Sequence, residues 1–380
     1  MSEQHLRLAV MGHYPPGRAP SGGIESVNVN LVDALARRGN LEIHMVQHRQ
    51  IAAPGVIAFP GFTLHNLPAA RKRFIPNILQ TEKIARDWLR QFRPDAVISH
   101  HPSFALAACD LDIPVVHTIH GMPRKEFWTR RGLFARTASA TEVWLEWRML
   151  QQVSHIIAIS DQMAEIYGRR TRARFHRVNN PISPRFFQPA PPPHPCQALL
   201  VGHLNKRKGI DVALQAVAML APDFPHFRLN IIGRTDVDPE FTRRVKAQAR
   251  PLGDAIRFLG PTDQAGIRAA MEQAQIFLLA SRMENAPMVI AEAMATGRPV
   301  VATDVGGVAS MVQPGVTGYL APNEDARALA DGLARLLADA AHAAELGANA
   351  ARFARENYHP AAVAEGYLRA VHEAMTEQAP

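Results

Sequence analysis

Two glutamates, Glu284 and Glu292, lie eight residues apart in a segment that ends at Gly297 and continues into the apolar run Val300–Ala302. This pattern predicts a loop, a helix that ends at the glycine, and a strand. Backbone N–H groups at the start of such a helix can face a diphosphate, and carboxylates can accept hydrogen bonds from sugar and ribose hydroxyls. The spacing therefore indicates a nucleotide-sugar site, although a solvated helix face would give the same pattern.

Other polar groups in the C-terminal half follow predicted strands. A basic turn, Lys206–Lys208, comes shortly after the strand Gln197–Gly202. Its cations could bind a diphosphate, or the turn could be a solvated basic turn without a ligand. The glycine of Ile232-Gly233-Arg234 permits close approach of a base or phosphate. Gly306-Gly307 alone could be a simple tight turn, but together with these elements it indicates a crevice lined for phosphate.

The N-terminal half offers two weaker signals. Gly22-Gly23 opens a predicted helix after the first strand and its proline-rich loop, and a helix start is an anion site in principle. It is not the dinucleotide fingerprint, because Gly12–Gly17 lacks the G-x-G-x-x-G spacing. His120 follows the predicted strand Val115–Ile119, as a site residue or as a structural histidine.

Metal and cofactor signals are weak. Two Asp-x-Asp triplets, at 110–112 and 236–238, could hold a divalent cation beside a diphosphate, but one lies in a predicted turn and the other in a charged loop. Zinc spacing, a Walker loop and G-x-S-x-G are absent from the sequence. We expect neither a metal nor a cofactor.

The order of strands and helices predicts the fold class. Apolar strands alternate with amphipathic helices on both sides of a proline-rich segment at 179–195, which cannot sustain a helix or a central strand. We expect two doubly wound α/β domains of Rossmann-like type, at residues 1–188 and 196–357, with a C-terminal helix at about 358–380 packing back on the first. Ligands of such sheets collect at the carboxyl ends of strands, and the cleft between the domains is the expected site.

Composition describes a globular protein of 380 residues, 47% hydrophobic and 20% charged. The two cysteines fit neither a disulfide framework nor a ligand set, and the N-terminus lacks a signal-peptide layout, so we expect a cytoplasmic setting. Residues 1–195 hold 24 basic and 14 acidic side chains, a surplus of +10, whereas the remainder holds 18 and 20, a balance of −2. The N-terminal half is therefore expected to meet an anionic surface or acceptor.

Taken in order, these motifs resemble the GT4-like retaining glycosyltransferases, also called glycosyltransferase group 1, of the GT-B fold. The resemblance runs from about residue 6 to 370 and is carried by Gly22-Gly23-Ile24-Glu25, Thr118–Gly121, Gly202-x-Leu204 with Lys208-Gly209, Ile232-Gly233, Glu284…Glu292, Gly306-Gly307 and Gly315–Leu320. It implies two domains that face each other across a cleft, and a metal-independent transfer that retains anomeric configuration.

The resemblance also implies roles for individual residues. Lys208 would neutralise the donor diphosphate, Glu292 would hold the ribose, Glu284 would lie against the donor sugar, and His120 would lie beside the anomeric centre. Of these, His120, Glu284 and Lys208 are the implied catalytic residues. The implied donor-binding residues are Gly22, Gly23, His203, Lys208, Gly233, Arg234, Asn285, Ala286, Pro287, Met288, Val289 and Glu292.

Two departures from the family pattern bear on the donor. His203 stands where the family usually has an arginine, and Asn285-Ala-Pro287 replaces the common Gly-Phe-Gly. The donor is expected to be a UDP-sugar, with a GDP-sugar as the alternative.

The basic surplus suggests the acceptor. Arginines and lysines alternate with Phe and Trp in Arg71–Phe74 and Arg124–Arg136, and a third basic run spans Arg169–Arg177. Such segments suit an anionic membrane surface, which favours a lipid-linked or cell-surface glycan acceptor, including lipopolysaccharide, at the inner membrane face. A soluble anionic acceptor remains open. Two other functions are also open: an epimerase or phosphorylase on the same scaffold, and a non-catalytic binder of nucleic acid or another anionic polymer. No nucleic-acid module accompanies the charge in the sequence, so we do not expect nucleic acid as a partner.

Overall fold

The structure is a computed structural model of the chain that describes residues 6–15, 20, 22–48, 54–68, 77–121 and 133–378. It divides into two compact units: Met1–Pro181 with Pro360–Pro380, and Ile182–His359.

The first unit is built on an eight-stranded sheet in the order β3-β4-β2-β1-β5-β6-β7-β8, parallel except for the β3–β4 hairpin. Its strands are β1 (Leu6–Met11), β2 (Leu41–His48), β3 (Gly55–Phe59), β4 (Phe62–Leu67), β5 (Ala96–Ser99), β6 (Val115–Ile119), β7 (His155–Ala158) and β8 (Arg174–Arg177). Its described helices are α1 (Gly23–Ala36), α2 (Asn77–Phe92), α3 (Pro102–Cys109), α4 (Leu133–Gln152), α5 (Asp161–Gly168) and the C-terminal α12 (Pro360–Gln378).

The second unit contains a six-stranded parallel sheet in the order β11-β10-β9-β12-β13-β14. Its strands are β9 (Gln197–Val201), β10 (Arg228–Ile232), β11 (Ile256–Gly260), β12 (Ile276–Leu279), β13 (Val300–Thr303) and β14 (Gly318–Ala321). Its α-helices are α6 (Ile210–Leu220), α7 (Pro239–Ala249), α8 (Gln264–Gln273), α9 (Met288–Ala295), α10 (Ala326–Ala338) and α11 (Ala340–Tyr358).

Alternate residues of β9 show why this sheet is covered on both sides. Ala198 and Leu200 belong to one buried apolar cluster, and Leu199 and Val201 belong to the other. A parallel sheet that buries both faces needs helices on both, which is the doubly wound arrangement. The two parallel sheets confirm the predicted fold class.

The predicted and observed elements differ where the apolar pattern is weak. The predicted strand Val115–Ile119 is confirmed to the residue as β6, and the helix predicted to open at Gly22-Gly23 is α1, which begins at Gly23. The hairpin of β3 and β4 and the short β8 were not predicted. Strand β3 is largely exposed at the sheet edge and β8 begins and ends with arginine, so neither carries the buried apolar run that identifies a central strand.

The proline-rich segment packs with the second unit instead of ending the first at residue 188. Ile182 and Phe186 are buried in a core cluster of that unit, and the Ile182 N–H donates to the Tyr358 carbonyl oxygen at 3.1 Å. These apolar anchors, which precede the proline run 189–195, therefore move the boundary to Pro181.

Helix α12 returns to the first unit. It contacts α1 and strands β5 to β8, and the buried Tyr367 hydroxyl lies 3.0 Å from Thr118 Oγ1. None of the helices in the described ranges combines the length and hydropathy of a membrane span.

Candidate functional site

Strands β9 and β12 are neighbours at the centre of the second sheet, although the 74 residues 202–275 lie between them in the chain. From β9 the chain crosses to β10 on one side, and β12 lies on the other side, so their carboxyl ends form a topological switch point. Ligands of open α/β sheets bind at such points. The loop at 202–209 and the loop at 280–287 leave the sheet here.

Two glycines hold the second loop in place. Gly209 has φ +59°, and a Cβ on it would lie 1.8 Å from the Ala280 carbonyl oxygen. Gly306 has φ +63°, and its Cβ would lie 1.7 Å from the Glu284 carbonyl oxygen. Only glycine permits both the left-handed backbone and the close approach. The Gly306 position, which the sequence linked to phosphate, thus supports the backbone of Glu284.

The Glu284 carboxylate is the centre of the site. Its Oε1 accepts from Lys208 Nζ at 2.6 Å and from the Ser281 hydroxyl at 2.8 Å, and its Oε2 accepts a longer bond of 3.4 Å from Arg207 Nη1. Glu284 and Lys208 keep only 7% and 13% of their side-chain surface exposed, whereas Arg207 keeps 50%. Two predicted residues are therefore directly paired, and Oε2 is the oxygen with accepting capacity to spare.

Arg282 ties the basic turn to this loop. Its guanidinium donates to both Asp211 carboxylate oxygens, at 2.8 and 3.0 Å, and to the Lys206 carbonyl oxygen at 2.7 Å. Its Nε pairs with Glu324 at 2.5 Å. The hydrogen bonds that Arg282 donates to Asp211 and Glu324 raise the pKa of its guanidinium further, so the group stays charged.

Glu292 lies in the middle of α9 and is 6% exposed. No hydrogen bond or ion pair joins its carboxyl group to another side chain in the described part of the chain, and burial alone raises its pKa to about 7. A buried carboxyl group without a partner is costly when ionised. It gains most from hydroxyl donors supplied by a ligand.

The start of α9 presents backbone donors. Pro287 occupies the N-cap without a side-chain cap, and Met288 and Val289 follow as the first helical residues, with Asn285 and Ala286 before them. The Ile290 N–H donates to the Pro287 carbonyl oxygen at 3.0 Å. The first N–H groups of an α-helix have no partner within it, and the helix dipole favours an anion there.

His203 is a neutral imidazole. Its Nδ1 accepts from the Arg234 backbone N–H at 3.4 Å. Burial, with Arg234, Lys208 and Arg207 nearby, lowers its pKa. Nε2 therefore carries the ring proton and is the donor available to a ligand.

Gly233 and Arg234 have partly structural roles. A Cβ at Gly233 would lie 2.0 Å from the Gly202 carbonyl oxygen, so its close neighbour is the β9 loop itself. The Arg234 guanidinium makes a bidentate pair with Asp236, at 2.7 and 3.0 Å. Asp238 caps α7 by accepting from the Phe241 N–H at 3.1 Å. The 236–238 triplet thus has other partners, and no metal-binding cluster of His, Cys, Asp or Glu occurs among the described residues.

The predicted residues of the first unit lie at the carboxyl edge of its sheet. Gly22 is the N-cap of α1, without a side-chain cap, and Gly23 begins the helix. His120 Nε2 lies 2.7 Å from His100 Nδ1, and the two rings stack at 5.0 Å. Burial lowers the pKa of His120 to about 4, so this imidazole is neutral near pH 7.

Four residues of the second-unit site were not predicted: Asp211, Ser281, Arg282 and Thr303. Ser281 holds Glu284 directly, and the Thr303 hydroxyl donates to the Ser281 carbonyl oxygen at 2.5 Å. The sequence carried a faint signal for Ser281, three residues before Glu284 in the same loop. It carried none for the Asp211–Arg282 pair, whose members are 71 residues apart.

Comparisons with known proteins agree with this geometry. Residues 21–186 match the family model "Glycosyltransferase Family 4", and residues 184–353 match "Glycosyl transferases group 1". A glycogen synthase of Mycobacterium tuberculosis is 30% identical over 284 residues, which are 72% of this chain and 67% of that protein. The chain belongs to the GT4-like group 1 glycosyltransferases.

Two further proteins extend the comparison. A phosphatidyl-myo-inositol mannosyltransferase of Mycobacterium leprae is 27% identical over 332 residues, 83% of this glycosyltransferase and 84% of the relative. The crystal structure of Anabaena HepE in complex with UDP-glucose superposes with a TM-score of 0.71 at 17% identity, covering 98% of this chain and all of that one. The fold is GT-B. Because the chain belongs to this family, the prediction that it is a transferase enzyme is confirmed, and the non-catalytic and epimerase alternatives are set aside.

Proposed function

We propose that this glycosyltransferase moves a sugar, with retention of anomeric configuration, from a nucleotide-sugar donor to a cell-surface glycan or lipid-linked acceptor. The donor is a UDP-sugar in preference to a GDP-sugar. The proposal rests on the pairing of Lys208 with Glu284. Lys208 Nζ lies 2.6 Å from Glu284 Oε1, where the loops after β9 and β12 meet at the carboxyl ends of these strands.

In this proposal Lys208 binds the donor diphosphate. An ammonium group has three N–H donors, and Glu284 uses one of them, so the same group can also donate to a phosphate oxygen. The uncapped start of α9 adds backbone donors and a positive helix end. Stabilising the negative charge that develops on the departing diphosphate is the main catalytic contribution of such groups.

Glu284 serves the sugar. Lys208 and Ser281 hold Oε1 in a fixed position, which leaves Oε2 to accept a sugar hydroxyl. A carboxylate fixed by two short hydrogen bonds and by the Gly306 contact behind its backbone positions a hydroxyl with little loss of rotamer freedom. Asn285, Ala286 and Pro287 follow in the same loop and are proposed to select the sugar.

Glu292 serves the ribose. Two ribose hydroxyls that donate to its carboxylate would replace the partners that the buried group lacks. His203 is proposed to donate from Nε2 to the diphosphate in the place of the usual arginine. No metal or other cofactor is included in the proposal, because Lys208 and the α9 start supply positive charge to the leaving group.

The relatives support the choice of substrates. HepE has been crystallised with UDP-glucose, and the mycobacterial mannosyltransferase is named for a phosphatidyl-inositol acceptor. We place the reaction in the cytoplasm at the inner membrane face, with Arg71–Phe74 and Arg124–Arg136 against anionic lipid. These segments lie outside the described residues, except that Leu133–Arg136 begin α4.

Release of free nucleoside diphosphate tests the reaction. The purified enzyme is assayed with a panel of UDP- and GDP-sugars, with and without glycan and lipid-linked acceptors, and the anomeric configuration of the product is read by NMR. Glu284→Ala should abolish turnover while leaving nucleotide affinity near wild type. Glu356→Ala, an exposed residue of the same unit, is the matched control. Full turnover by Glu284→Ala would refute the site assignment, and an inverted product would refute retention.

Vesicle co-sedimentation tests the membrane part separately. Recovery with phosphatidylglycerol vesicles should exceed recovery with phosphatidylcholine vesicles and fall as salt is raised. Equal and salt-insensitive recovery with both lipids would remove the membrane from the proposal and leave a soluble anionic acceptor.

A further inference from the structure

A polar depression of about 970 Å³ lies on the first unit, at the basic run Arg169–Arg177. It is lined by the end of α4, by Ser154 just before β7, and by Arg174 at the start of β8. These are the amino ends of the two strands. His120 and the start of α1 lie at carboxyl ends of the same sheet, so the depression belongs to the opposite edge.

Four arginines from one short segment line this depression: Arg169, Arg170, Arg172 and Arg174. We call it the arginine pocket. Glu377 is the acidic residue in its lining, and Arg174 pairs with Glu377 at 3.1 Å and with Glu373 at 2.9 Å. Arg169 and Arg172 are exposed and form no ion pair with any residue that the structure describes.

Two helix ends offset part of the positive charge of the arginine pocket. Helices α4 and α5 both end at the pocket, at Gln152 and Gly168, and a helix C-terminus carries about half a negative charge. Two such ends offset roughly one of the four arginine charges, and Glu373 and Glu377, which both pair with Arg174, offset two more. About one positive charge therefore remains without compensation at this edge of the sheet.

An aromatic surface adjoins the pocket. A smaller cavity of about 250 Å³ shares Leu150, Gln151 and Arg170 with it and adds Glu146, which accepts from the Tyr167 hydroxyl at 2.6 Å, and Trp147, which is 53% exposed. The pocket thus offers guanidinium forks that match phosphate oxygens beside an indole face that can stack on a ring or an apolar group. Its volume is in the range of about 300–1,000 Å³ that is usual for ligand pockets.

We propose that the arginine pocket binds the phosphate of an organic phosphate ester, with Arg169 and Arg172 on the phosphate and Trp147 against the organic part. The Thr171 hydroxyl accepts from the Ala173 N–H at 3.1 Å, which leaves its own proton for a phosphate oxygen. The ester is either a soluble phosphorylated compound or the headgroup of a phospholipid. The inference is independent of the donor proposal, because it uses residues of the other unit.

Calorimetric titration with phenyl phosphate, which combines a phosphate with a ring, tests the site. The titration is performed on the Lys208→Ala variant, in which the proposed donor diphosphate site is disabled. The double variant Arg169→Gln/Arg172→Gln in that background should bind about tenfold more weakly or worse, since two charge-assisted contacts are lost. Arg243→Gln/Arg257→Gln, which removes two exposed arginines of the second unit, is the charge-matched control and should bind as the parent does.

Vesicles separate the two sources of phosphate. Phosphatidic acid vesicles should retain the enzyme through Arg169 and Arg172 if the ligand is a lipid headgroup, whereas phenyl phosphate alone should bind if the ligand is soluble. Loss of binding in the double variant but not in the control, in either assay, supports the proposal. Binding that the double variant keeps, or no binding in both assays, overturns it.

Discussion

Lys208 Nζ and Glu284 Oε1 lie 2.6 Å apart although 76 residues separate them in the chain. The bond joins the loop after β9 to the loop after β12 and makes them one site. The aliphatic part of Lys208 packs against Gly202, where a Cβ would lie 3.1 Å from the lysine Cγ and Cδ atoms. The ammonium group is therefore positioned from both ends, by the glycine under its stem and by the carboxylate at its tip.

Replacement of Lys208 should separate its role from that of its neighbour. Lys208→Ala is expected to lower turnover by about 100- to 1000-fold, because a fixed cation near the departing diphosphate is lost. Arg207→Ala should lower turnover only by about twofold to threefold, since that side chain is half exposed and its bond to Glu284 is long. Steady-state kinetics with a saturating acceptor measures both. Equal losses in the two variants would contradict the assignment to Lys208.

The contact between Gly306 and Glu284 predicts a second pair of variants. Gly306→Ala places a Cβ 1.7 Å from the Glu284 carbonyl oxygen, so the loop must move and the Lys208 bond must lengthen. Gly315→Ala is the matched control, since it has a similar φ of +74° but no atom within 4 Å of the added Cβ. We expect both to lose about 1–2 kcal/mol from left-handed backbone strain, and only Gly306→Ala to lose most of its activity. Chemical denaturation and turnover distinguish the two effects.

The sequence predicted the part of the site that local spacing encodes. Glu284, Glu292 and the stop at Gly297 belong to one strand-loop-helix-strand unit, so their positions follow from the element order alone. Lys208 follows from the same logic one strand away. The carboxyl ends of parallel strands meet at one edge, and the pairing of β9 with β12 brings both loops to it.

Long-range pairs and edge strands could not be predicted in the same way. Nothing local to Asp211 indicates that it will receive Arg282, and nothing local to Gly306 indicates that it will lie under the Glu284 backbone. His203 was noted for its departure from the family pattern, but the bond from the Arg234 N–H that fixes its tautomer depends on the pairing of β9 with β10. These features depend on tertiary packing, which a one-dimensional pattern does not contain.

Glu292 predicts how the stability of the second unit depends on pH. Burial raises its folded pKa to about 7 from an ordinary value of 4.5. Between these values the native state keeps a proton that the unfolded state has released, so this group's contribution to stability falls as pH rises from 4.5 to 7. Glu292→Gln should remove this slope. Relative to wild type, the variant's free energy of unfolding should therefore be higher at pH 8 than at pH 4 by roughly 3 kcal/mol. Urea denaturation followed by circular dichroism at several pH values checks it, and an unchanged slope would contradict it.

The same carboxyl group predicts the pH dependence of donor binding. Ribose hydroxyls donate to the ionised form, so donor affinity should rise as pH increases through about 7. Glu292→Gln should bind the donor more weakly at pH 8 and lose this rise. Calorimetry with the nucleoside diphosphate measures it. Wild-type affinity with an unchanged pH profile in the variant would place the ribose elsewhere.

The buried histidines of the first unit predict the opposite pH dependence. His117 is 2% exposed, its Nδ1 lies 3.3 Å from Ser99 Oγ, and burial with His120 and His101 nearby lowers its pKa to about 3. Burial also lowers the pKa of His101 and of His120 to about 4. These groups stay neutral in the native state but take up protons in the unfolded state below about pH 6.5, so stability should fall as pH drops from 6.5 towards 4.

All four tryptophans of the chain belong to the first unit, and their fluorescence therefore reports its unfolding separately. His117→Gln should reduce the slope by about one proton, or roughly 1.4 kcal/mol per pH unit. His226→Gln, an exposed histidine of the second unit, should leave the slope of this transition at its wild-type value; a slope that both variants share would show that His117 does not titrate on unfolding.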